Sequence, residues 1–95
     1  MIIAIDYDGT YNADMKMFAE IVRLMKASNH DPIIVTMRYE HEKDNFLNNV
    51  QSKLCGGIDV FYTGRKAKRK FMAELGIFPA IWIDDNPHWI DTDSR

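Results

Sequence analysis

This chain has one cysteine, Cys55, so no internal disulfide can form and its 95 residues must be held by their own core. A lone thiol that reads as a small buried hydrophobe fits a reducing cytosol. No apolar run approaches the length of a membrane span, and the N-terminus lacks a signal-peptide pattern. A cytoplasmic location with no membrane partner is therefore expected. Met1-Ile2-Ile3 opens a strand at once, and nothing is expected to precede the fold. Neither sign of charge dominates: a net −2 is too mild to argue by itself for nucleic acid or membrane as partner. Repeats, low-complexity tracts and linkers are absent. What is present is 46% apolar residues, enough to build one domain over residues 1–95 rather than a disordered chain.

Apolar runs alternate with helical patterns. Strands are expected over residues 2–6, 33–37, 58–62 and 80–84. The first helix runs from a cap at Asn12 or Asp14 to about Ala27, with Met15, Phe18, Ile21, Val22 and Met25 on one apolar face. Residues 28–32 read as a turn, with Pro32 barring helix continuation. A polar second helix is expected over 40–53, with Phe46, Leu47, Val50 and Leu54 inward and Gly56-Gly57 as its stop. A third is expected over 66–75, closed by Gly76. Strands alternating with helices predict an α/β fold: a parallel, three-layer, Rossmann-like sheet of about four strands.

In such sheets ligands bind at the carboxyl ends of strands. Asp6, Asp8, Thr36, Asp84 and Asp85 all fall at those ends. Asp6 and Asp8, two residues apart, point the same way, and Gly9 lets the chain turn. Two like charges this close call for a metal ion or a shared proton. One carboxylate of such a pair can be a nucleophile and the other a general acid/base. A calcium loop starting at Asp6 is excluded, because Tyr11 and Met17 stand where it needs Gly and Glu. Thr36 ends its strand in a hydroxyl, although strand propensity alone would also place Thr there. Arg65, Lys66, Lys68, Arg69 and Lys70 crowd six positions, as a solvated helix face or as a phosphate-attracting patch. Asp84 and Asp85 repel one another without a cation. His30 and His41 read as exposed, Trp82 and Trp89 as packing residues, and His88 stands just after the acids.

In order along the chain, Asp6-Tyr7-Asp8-Gly9-Thr10, then Thr36, then Lys68 near a helix start, then Asp84-Asp85 resemble the four motifs of the haloacid dehalogenase superfamily. Most of its members are magnesium-dependent phosphohydrolases, and the resemblance spans nearly the whole chain. It implies a strand order of 3-2-1-4, which sets Asp6 and Asp8 facing Asp84 and Asp85. It implies that Asp6 attacks phosphorus to form an aspartyl-phosphate, while Asp8 protonates the leaving oxygen and then activates water. Mg2+ would be held by Asp6, by Asp8 through its backbone carbonyl, and by Asp85, with Asp84 supporting or also ligating. Gly9, Thr10 and Arg38 would meet the substrate, and the Thr36 hydroxyl would bond a phosphoryl oxygen. Lys68 would neutralise the phosphoryl charge. Its distance to the acids resembles that in capless phosphatases acting on RNA polymerase tails, and Lys66 is the alternative.

Two departures from the family matter. Residues 11–32 hold one helix and its turns, and 62–65 only a loop, so neither has room for the usual cap domain. Residues 86–95 leave the usual fifth strand very short or absent, which exposes a sheet edge and favours a homo-oligomer. The expectation is a capless phosphomonoesterase for a phosphorylated macromolecular end, a polynucleotide end more than a phosphoprotein, or for a small phosphate ester such as a nucleotide. A non-enzymatic phosphate- or metal-binding module and a phosphotransferase are alternatives on the same fold. A response-regulator receiver domain is excluded, because its phospho-acceptor ends the third strand, where Phe61-Tyr62-Thr63 has no acid.

Overall fold

The computed structural model describes residues 1–50 and 57–94. Four strands, β1 (Ile2–Ile5), β2 (Asp31–Thr36), β3 (Val60–Tyr62) and β4 (Ile81–Ile83), form one all-parallel sheet in the order β3-β2-β1-β4. From β1 the chain first builds outward on one side, to β2 and β3. It then returns to the other side as β4. The carboxyl end of β1 is therefore the point where strand order reverses, the place where such sheets leave a crevice.

Side chains alternate across the sheet. Ile3, Ile5, Ile34 and Val60 face one cluster, completed by Phe18 and Val22 of α1 (Met15–Ala27) and Leu47 of α2 (Asn45–Asn49). Ala4, Ile33 and Val35 face a second cluster with Met72 of α3 (Lys68–Glu74). Both faces are thus covered, which is why the strands read as continuous apolar runs. Truncating a fully buried residue such as Ile34 to Ala would cost about 2–5 kcal/mol.

The helix α1 begins where its cap dictates: the Asp14 carboxylate accepts the Met17 N–H at 3.1 Å. Met15, expected on the apolar face, is exposed, because it precedes the first turn that reaches the sheet. Pro32, expected in a turn, lies inside β2 opposite Ile3. The neighbouring strand explains this. Asp31 N–H bonds toward β1 and Ile34 N–H toward Asp59, so the position between them that lacks an N–H faces the side where β3 has not yet begun.

The helix expected over 40–53 is broken. A 3-10 turn (Glu40–Glu42) is closed by the Glu42 carboxylate accepting the Tyr39 N–H at 2.7 Å. Lys43 is then extended, and Asp44 starts α2 afresh by accepting the Leu47 N–H at 2.9 Å. Two local caps defeat one long helix. Leu47 and Val50 are buried as expected, and Phe46 packs against them from a half-buried position. The expectations for Leu54, Cys55 and Gly56 lie outside the described residues. After β4 a short helix α4 (His88–Asp91) stands where the sequence suggested no element. Among the described residues, no helix is long and apolar enough to cross a membrane.

Candidate active site

Asp6 follows β1 and Asp84 follows β4, and the two strands pair in register, with Asp6 N–H donating to Ile83 O at 2.9 Å. That pairing brings the two carboxylates side by side. Lys68, the first residue of α3, reaches between them from the opposite element. Its Nζ lies 2.7 Å from Asp6 Oδ1 and 2.6 Å from Asp84 Oδ2. Lys68 is 2% exposed, so this is a buried ion triad. Asp85 completes the cluster: oxygens of Asp6, Asp84 and Asp85 all lie within 4.8 Å of one another. Thr10 bridges it, its hydroxyl 3.0 Å from Asp85 Oδ1 and 3.3 Å from Asp6 Oδ2 while accepting the Asp85 N–H at 3.0 Å.

The charge does not balance within the protein. Burial pushes the Asp6 carboxyl up to about 7; Lys68 opposes this, and Asp84 and Asp85 add to it. The hydrogen bond with Asp6 holds Asp85 below the ordinary carboxylate range, against a smaller effect of burial and with help from Thr10. Three carboxylates against one ammonium leave room for a divalent cation, and an all-oxygen donor set is what a hard cation such as Mg2+ takes. The backbone is shaped for the same arrangement. Gly9 has φ +79°, and a Cβ there would sit 2.4 Å from Asp85 Oδ2, so only glycine lets that carboxylate approach.

The remaining predicted residues form a second group. The Asp8 carboxylate is gripped by Arg38, with Nη2 2.7 Å from Oδ1 and Nε 3.0 Å from Oδ2. Arg38 also donates to Glu42 O at 2.7 Å and lies over the Tyr7 ring. The bonded Asp8 carboxylate keeps the Arg38 guanidinium above its ordinary pKa, against burial. Thr36 is fully buried, and its hydroxyl accepts the Arg38 N–H at 3.2 Å. Lys66 is exposed and does not join the acids. Of the two lysines weighed from the sequence, Lys68 is the one the fold brings to Asp6.

A cleft of about 250 Å³ opens onto this cluster. Asp6, Asp8, Lys68, Asp84 and Asp85 line it; Thr36, Arg38, Gly9 and Thr10 do not. Arg65, expected on a solvated helix face, and Trp89, expected as a packing residue, line it too. The pair Gly64-Arg65 was the available signal for a tight turn there. Tyr7 donates to the Asp44 carboxylate beneath the loop that carries Arg38, a link that no spacing pattern announces. Neither connection that could carry a cap does so: 6–14 holds only a 3-10 turn, and 63–67 is a loop. Compared with known proteins, the chain matches no family model, no curated protein and no solved structure.

Proposed function

We propose that this protein is a magnesium-dependent phosphomonoesterase of the haloacid dehalogenase type, working through an aspartyl-phosphate on Asp6. The observation that carries the reading is the buried Lys68 ammonium held between Asp6 and Asp84, with Asp85 alongside. A nucleophilic carboxylate must be kept ionised in a dry site and must meet an anionic phosphoryl group without repelling it. A fixed ammonium at 2.7 Å opposes the burial that raises the Asp6 carboxyl and offers positive charge to the phosphoryl group.

Asp6, Asp84 and Asp85 would hold the magnesium ion, which when bound supplies charge neutralisation and polarises phosphoryl oxygens. An Asp6 carboxylate oxygen attacks phosphorus; the Asp6 O–P bond forms as the ester P–O bond breaks. The leaving oxygen takes a proton from Asp8. Asp8 is occupied by Arg38 before substrate arrives. Asp8 must part from that guanidinium and take up a proton from solvent before it can donate one. Asp8 then takes a proton from the water that attacks the aspartyl-phosphate, which releases phosphate and restores Asp6.

The open cleft suits a phosphate that projects from a larger molecule, since among the described residues no cap closes over it. The test is turnover of a generic aryl phosphate. Activity requires magnesium, is lost in chelator, and is abolished in Asp6→Asn. Equal turnover by Asp6→Asn, or full activity in chelator, would overturn the reading; phosphate binding with no turnover in the wild type would favour a phosphate-binding module.

A further inference from the structure

Arg65 is held in a backbone conformation that arginine rarely adopts, and that outlier has a use. Its φ is +71°, directly after Gly64 at +60°. At Gly64 a Cβ would meet the Tyr39 ring at 2.8 Å, so a side chain there would push that ring aside. At Arg65 nothing requires a side chain for the turn itself, and glycine would relieve the strain. The strained residue is nonetheless tied down on all sides. Its N–H donates to Met37 O at 2.9 Å, and its carbonyl accepts the Ser94 N–H at 2.7 Å. Nη1 donates to Met37 O at 2.8 Å and Nη2 to Glu42 Oε2 at 3.0 Å.

Those side-chain bonds use two of the five guanidinium N–H groups and leave three without an acceptor among the described residues. Arg65 and Lys68 are the cations lining the site cleft among the described residues, and Lys68 is committed to Asp6 and Asp84. Arg65 also faces the other way. Together with Ser94 it lines an adjoining groove of about 450 Å³, whose other walls are Tyr39, Gly64, the exposed Lys66 and Asp93, whose carboxylate accepts the Ala67 N–H at 2.7 Å. The two hollows therefore meet at Arg65. Arg65 and Ser94 line both hollows, and Lys66 lines the groove but not the cleft.

We propose that the groove between Arg65 and Lys66 is a second anion subsite, and that the substrate is a phosphomonoester whose leaving group carries a second phosphoryl group. This rests on the phosphatase reading for the first phosphate. A planar guanidinium fixed by two partners recognises phosphate oxygens with little loss of freedom, and the ammonium of Lys66 adds a point charge beside it. The arrangement also gives Lys66 a role distinct from that of Lys68.

The test is calorimetric binding with magnesium in the Asp6→Asn protein, which does not turn the ligand over. Adenosine 3′,5′-bisphosphate is compared with the better-bound of its two monophosphates, and fructose 1,6-bisphosphate with fructose 6-phosphate. At least one bisphosphate binds roughly tenfold tighter than its monophosphate, as one charge-assisted contact supplies. The pair that shows it identifies a nucleotide or a sugar as the bearer. Arg65→Gly, which suits the backbone at this position and keeps the fold, collapses that ratio toward one, and Lys66→Gln lowers it in part. Equal affinity within both pairs, or a ratio unchanged in Arg65→Gly, overturns the subsite. A ratio that behaves as described in a protein whose wild type hydrolyses no phosphate leaves the subsite standing and overturns the phosphatase reading instead.

Discussion

Lys68 Nζ sits 2.7 Å from Asp6 Oδ1 inside the protein, 62 residues away in sequence and with 3% of its side chain exposed. Removing the ammonium leaves two largely buried carboxylates without their partner. Lys68→Ala is therefore expected to lose roughly a hundredfold or more in turnover and about 3–5 kcal/mol in stability. Lys66→Ala, whose side chain is exposed, costs little on a simple aryl phosphate and less than about 0.5 kcal/mol in stability. Steady-state kinetics and urea melts of the two variants check this. Lys66→Ala as the inactive variant would contradict the placement.

How much of this was legible beforehand depends on what decides each feature. Asp6, Thr36 and Asp84 were readable as strand ends because a buried parallel strand must be an apolar run. Their convergence followed from strand order. Lys68 was separable from Lys66 only by its distance to the acids. The break at Lys43 was not readable, since it turns on Glu42 reaching back to Tyr39 and on Asp44 capping anew. Nor was Pro32 inside a strand, which depends on how short β3 is. Arg65 looked like one more charge on a helix face. Its left-handed backbone is set by Met37 and Ser94, residues distant in sequence.

Gly9 gives a second prediction. In Gly9→Ala the new Cβ meets Asp85 Oδ2 at 2.4 Å, at a backbone φ of +79°. The carboxylate must swing away, so magnesium affinity falls by roughly tenfold, as for other perturbed ligand shells. The backbone adds a stability loss of about 1–2 kcal/mol. Magnesium titration by calorimetry and a thermal melt measure the two effects. Unchanged metal affinity would separate Asp85 from the metal.

Asp44 gives a third, in pH. Burial alone would raise its carboxyl, but the Leu47 N–H, the Tyr7 hydroxyl and the Arg38 charge together hold it below its ordinary value of 3.8. The unfolded chain then binds the proton more readily than the folded one, so stability rises with pH across this window. The contribution is present above 3.8 and is lost as pH falls through the lower folded value. Asp44→Ala should cost about 1 kcal/mol at pH 7, with the gap to wild type closing below pH 4. Urea denaturation at pH 7, 4 and 3 reads the gap directly; a gap independent of pH would contradict the assignment.

The central claim is that Asp6 takes the phosphoryl group, and beryllium fluoride, which mimics a phosphoryl group on a carboxylate, tests it most directly. Fluorine magnetic resonance of the wild-type protein should show a bound beryllofluoride signal that requires magnesium. That signal should vanish in Asp6→Asn while persisting in Lys66→Ala. A bound signal retained in Asp6→Asn would contradict the account, because the acceptor would then be some other group.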